Sequence, residues 1–133
     1  MADIKWKTLT DIKPDQEYLV MASFLPLRGL WRVPRFLFYT ADIQKQLNQT
    51  RGVVGYGLRA LLLKRRFYTL SAWESQEALS EFNRAMPHSE IAMRLKRRMG
   101  KSKFVFWKAK GSGLPPTWDQ AFSRLAMPKE PKG

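Results

Sequence analysis

Apolar positions along the chain follow two different periods. Residues 18–27, YLVMASFLPL, are almost continuously apolar and rich in aromatic residues, and Pro26 stops the run, which predicts a strand. From Pro34 to Thr50 the spacing changes: Phe36, Leu37, Tyr39, Ile43 and Leu47 give one stripe at helical intervals, and Gly52 closes it. VVGYGLRALLL (53–63) and FYTLSAWES (67–75) read as two antiparallel strands around a basic turn, Lys64-Arg65-Arg66. Ser75 is an N-cap for a helix carrying Ala78, Leu79, Phe82 and Met86 on one side. Beyond Pro87, Ile91, Leu95 and Met99 predict a second helical piece over about residues 89–99. KFVFWKA (103–109) is a last strand, and Thr117 caps a terminal helix over 117–125.

The order strand, helix, strand, strand, helix, strand predicts an α+β fold: a ferredoxin-like βαββαβ domain with a four-stranded antiparallel sheet. The domain is expected over residues 17–127. Residues 1–16 read as an arm laid on it, and 128–133 as a disordered tail.

The strands are apolar on both faces. Tyr18, Val20, Ala22 and Phe24 point one way, and Leu19, Met21 and Leu25 the other; in the last strand Phe104 and Phe106 oppose Val105 and Trp107. Two helices cover one face. The other needs a second subunit, a bound apolar ligand, or the arm and terminal helix. A homodimer packed sheet against sheet around a partly enclosed cavity is the expectation.

Composition then narrows the chemistry. The 133 residues include no cysteine and one histidine, which excludes disulfides, thiolate metal sites and two-histidine metal sites. Lys and Arg number 24 against 11 Asp and Glu, a formal charge of +13 that attracts anions. The N-terminus has no apolar signal segment, and a cytoplasmic location is expected. Nucleic acid is not the expected partner, because KSKFVFWKA lacks the glycines of an RNA-recognition strand.

The hairpin, WESQEALSEFNRAMPH (73–88) and the FVFW strand resemble the dimeric α+β-barrel superfamily, specifically its antibiotic-biosynthesis-monooxygenase-like group. In that group a strand ending in a Trp-Glu turn leads into a helix with an Ala-Phe pair and a following His. The resemblance implies a homodimeric barrel holding an apolar or anionic organic ligand, with oxidation free of any cofactor. No cofactor is expected; a haem is the one the superfamily would admit. Haem-degrading members carry Trp and His where this chain has Phe82 and Ala92. A non-catalytic haem- or lipid-binding module is the alternative, and a nucleic-acid-binding protein using its basic surface is the third reading.

Candidate residues follow. His88, at a helix break, is the nominal catalytic base. Trp73, Tyr56, Phe24 and Trp107 are expected to wall the ligand cavity, with Arg59 meeting an acidic group. The stretch LPLRGLWRVPRFLFY (25–39) mixes aromatics with Arg28, Arg32 and Arg35. With Trp31 these form a candidate anion-binding or membrane-facing patch, or a loop packed across a dimer partner.

Overall fold

The computed structural model describes residues 2–86, 88–96 and 99–126. Five strands and four helices follow one another: β1 (Ala2–Thr8), β2 (Glu17–Pro26), α1 (Val33–Gln49), β3 (Val53–Leu61), β4 (Arg66–Trp73), α2 (Gln76–Arg84), α3 (His88–Leu95), β5 (Lys103–Lys110) and α4 (Trp118–Arg124). The strands form one antiparallel sheet in the order β1-β3-β4-β2-β5. Strands β2 to β5, with the order β3-β4-β2-β5 in the sheet, have the split βαβ arrangement predicted from the sequence. The expected disordered tail lies outside the described residues.

The sheet has five strands, not four. The fifth comes from the segment read as an arm: β1 pairs with β3 through Asp3↔Arg59 and Ile4↔Leu58. A register shift between Ile4 and Lys7 lets Ile4 pack on one face while Trp6 packs on the other. Gly55 makes this possible, since a Cβ there would run into the Trp6 ring.

Helices α1, α2 and α3 lie on one face, called here the helix face. Near the β2 C-terminus, Leu27, Val33, Phe36, Phe67, Ile91 and Leu95 form one buried cluster. Further along, Leu47, Val53, Tyr56, Trp73, Leu79 and Phe82 form another. The far face carries Tyr18, Val20, Ala22, Tyr68, Leu70 and Ala72, and Ala121, Phe122 and Leu125 pack onto it from α4 and its end. The terminal helix therefore covers part of the second apolar face. Thr117 caps α4 with a full capping box, its side chain accepting from Gln120 N at 3.1 Å and its own N–H donating to Gln120 Oε1 at 2.9 Å. Ser75 caps α2 by accepting from Ala78 N.

Candidate functional site

One cleft of about 340 Å³ opens where β2, α1 and α3 end or begin. Leu27, Phe36 and Leu95 make its apolar floor, and Trp31, Arg32 and Arg35 its walls. The chain reaches this arrangement through Gly29, whose φ of 86° turns the backbone out of β2. A Cβ at Gly29 would also lie 2.8 Å from Trp31 Nε1, so only glycine lets the indole fold back. Arg32 N donates to Gly29 O at 3.2 Å, closing the turn, and Pro34 then starts α1 where its missing N–H costs nothing.

The electrostatics of the cleft are one-sided. The Arg32 guanidinium stacks over the Trp31 ring at 4.5 Å, while its Nε is buried with no hydrogen-bond acceptor. Beside Arg35, the Tyr39 hydroxyl is held below its ordinary pKa, chiefly by a hydrogen bond with Arg94 and also by Arg35. Arg94 in turn pairs with Glu90 at 2.5 Å along α3. A second, smaller cleft of about 160 Å³ lies between α1 and the β1–β3 edge, lined by Ile4, Leu37, Ala41 and Leu58 among others.

The structure divides the residues singled out by the sequence. Trp31, Arg32 and Arg35 come together in the large cleft; Arg28, exposed, sits beside it in the chain. Trp73 and Tyr56 are buried on the helix face, where Trp73 Nε1 donates to Ser71 Oγ at 2.8 Å and Tyr56 Oη donates to Asn48 Oδ1 at 2.9 Å. Both are satisfied core residues. Phe24, Trp107 and Arg59 are on the opposite face. Phe24 packs on Tyr68 at 5.3 Å, Arg124 lies over Trp107 at 5.0 Å, and Arg59 lies over Trp118 at 5.1 Å and 3.8 Å from Asp3. The five expected cavity residues thus do not share one cavity, because strand parity sends them to two faces.

His88 stands at the first turn of α3. A string of rings leads to it, Trp73 to Phe82 at 5.2 Å and Phe82 to His88 at 4.8 Å. Its Nδ1 is buried without a partner. Burial lowers its pKa below the usual 6.5, with the Asn83 backbone carbonyl pulling weakly the other way. Gln46 of α1 fixes this break: Oε1 accepts from His88 N at 2.8 Å and Nε2 donates to Phe82 O at 3.3 Å. His88 lines neither cleft, and seven residues, about 10 Å of helix, separate it from Leu95. A haem iron is held by the in-plane lone pair of a ring nitrogen, and the buried Nδ1 of His88 is not open to one.

Sequence reasoning missed Leu27, Phe36 and Leu95 as a floor, and Gln46 as a clamp. The first three are apolar residues from three separate segments, joined only by the fold. Gln46 gave no signal, because it is one polar residue on a helix full of them.

No protein-family model matches the chain, and no curated protein matches its sequence. Solved structures do match in fold. An antibiotic biosynthesis monooxygenase candidate from Nitrosomonas europaea superposes with a TM-score of 0.63 at 14% identity, over 75% of this chain and 93% of that one. A second such candidate, from Caulobacter crescentus CB15, gives 0.62 at 15% identity, over 71% and 91%. SnoaB, a cofactor-independent oxygenase from Streptomyces nogalater, gives 0.54 at 14% identity, over 69% and 92%. The chain is built on the α+β fold of the antibiotic-biosynthesis-monooxygenase-like proteins.

Proposed function

We propose that this protein binds a small, apolar organic anion in the cleft at the end of the helix layer, as a homodimer on a monooxygenase-like fold. One observation carries the reading: Arg32 stands beside the Leu27–Phe36–Leu95 floor with its Nε buried and no acceptor to meet it. A buried donor without a partner costs about 1–3 kcal/mol, and more when charged. A carboxylate or sulfonate on an apolar body would supply the acceptor while its body covers the floor. Arg35 adds a second cation at the mouth, and Trp31 a flat aromatic wall.

The test is a fluorescence titration with anilinonaphthalene sulfonate, followed by displacement with decanoate. Saturable binding is expected, displaced by decanoate and not by decanol. Arg32→Ala should weaken it by about tenfold or more, the worth of one charge-assisted hydrogen bond. Absence of saturable binding, or an unaffected Arg32→Ala variant, overturns the reading.

A second reading is enzymatic: cofactor-free oxidation of an organic ligand by dioxygen, with His88 taking the substrate proton. The lowered pKa of His88 supports it, since a neutral imidazole at pH 7 is ready to act as a base. Trp73 and Tyr56 would then back the aromatic string behind that base. Oxygen uptake that depends on the bound molecule and is lost in His88→Ala would favour this reading. Binding without oxygen uptake favours the module.

The dimer reading draws on β5. Phe104 and Phe106 are both more than half exposed on this edge strand, at 56% and 51%, on the side that faces the helices. A second copy of the chain is the partner proposed to cover them.

A further inference from the structure

We propose that the end of the molecule around the cleft docks on an anionic lipid bilayer. Three segments meet there. Leu27 N donates to Arg65 O at 2.8 Å, which ties residues 26–35 to the turn between β3 and β4. Gly100 N donates to Pro26 O at 2.9 Å, and Leu27 pairs with Met99, which ties in the stretch before β5. Antiparallel pairing brings the C-terminus of β2, the start of β4 and the start of β5 to the same end of the sheet.

The charge at this end is mainly positive, with Asp3 at 3.8 Å from Arg59 and Glu90 at 2.5 Å from Arg94 as acids close to it. Residues 26–35 carry three arginines, residues 61–66 three Lys and Arg, and residues 94–96 with 99–103 four more; no Asp or Glu lies in any of them. Asp11, Asp15, Glu17, Glu74 and Glu77 cluster in sequence around the opposite ends of β2 and β4. A basic end of this kind suits any polyanion. Two side chains choose among them. Trp31 is 75% exposed and Leu63 is 83% exposed, each at the basic end and in separate segments of it. An excess of cations attracts a lipid surface, and an exposed tryptophan and leucine beside them gain by entering its headgroup layer. Arg32 covers one face of the Trp31 ring at 4.5 Å and leaves the other for a base, whereas the exposed aliphatic Leu63 offers a base no ring to stack on. Among the described residues no helix is long and apolar enough to cross a membrane, so the contact made here is with the surface.

The experiment is co-sedimentation of the full chain with vesicles of phosphatidylcholine alone and of phosphatidylcholine with phosphatidylglycerol. The chain should pellet only with the second, and less as salt rises from about 0.05 to about 0.5 M. Leu63→Asp and Trp31→Ala should each lower the partition coefficient by about tenfold or more with an unchanged melting curve, since both side chains stand in water. Failure to pellet with phosphatidylglycerol vesicles overturns the proposal. So does wild-type partition in Leu63→Asp, which would leave a charge effect alone. Displacement from vesicles by an equal charge of oligouridylate, unaffected by Leu63→Asp, would assign the end to nucleic acid and overturn it as well. Leu63 lies outside the cleft, so the anilinonaphthalene sulfonate titration of Leu63→Asp reads the ligand reading separately from this one.

Discussion

An imidazole held against a phenylalanine ring with one nitrogen buried is better neutral than charged, and His88 is in that position. Its folded pKa lies below the ordinary value, so the unfolded chain takes up a proton that the folded chain refuses. Stability is therefore full above about pH 6.5 and falls as the pH drops toward the folded pKa, below which the loss levels off. Because the chain has a single histidine, one imidazole proton resonance reports it without ambiguity. Its titration midpoint should lie below 6.5, and His88→Gln should flatten the fall of melting temperature on acidification. A midpoint at or above 6.5 would refute the burial argument. At this scale the sequence was a partial guide. It singled out Trp31, Arg32 and Arg35 because arginines interleaved with aromatics stand out in any chain. It could not separate Trp73 from Trp107, since both are strand tryptophans in apolar runs and only the register tells their faces apart.

Elements fared better where their signals are local. Ser75 and Thr117 were legible as caps because a hydroxyl caps the N–H groups two or three residues ahead of it. The strand β1 was not, although Ile4-Lys5-Trp6-Lys7 alternates. Its place depends on room left by Gly55 on β3, about fifty residues away. The break between α2 and α3 is likewise a tertiary matter. Gln46 reaches across from α1 and satisfies the carbonyl that ends one helix and the N–H that begins the next. Gln46→Ala should cost about 1–3 kcal/mol in urea unfolding, because His88 N loses its acceptor, while Phe82 O keeps the bond from Ala85 N at 3.1 Å. Gln46→Glu keeps an acceptor for His88 N and should recover part of the loss. No difference between wild type and Gln46→Ala would mean that water replaces the amide at no cost.

For the whole molecule, the two-sided apolar sheet was legible and its covering was not. Alternation showed that both faces needed burying, but it could not weigh a second subunit against the chain's own α4. With α4 over part of the far face, the exposed strand aromatics proposed for a partner are Phe104 and Phe106, on the helix side of β5. Analytical ultracentrifugation at micromolar concentration should give the mass of two chains, and Phe104→Lys with Phe106→Lys should give the mass of one with the fold intact by circular dichroism. A wild-type monomer would remove the dimer and leave the cleft reading standing.

The strand order also governs when this chain can fold during synthesis. Only β3 and β4 are neighbours both in sequence and in the sheet; β2, between them and β5, pairs Val20 with Ala72 on one side and with Trp107 on the other. Such distant pairings delay closure, so the β3–β4 hairpin is the natural nucleus and the sheet completes late. Until Lys110 has left the ribosome, β2 presents an open edge that is apolar on both sides, the kind of template that recruits other strands. A nascent chain arrested before β5 is thus the species most in need of a chaperone.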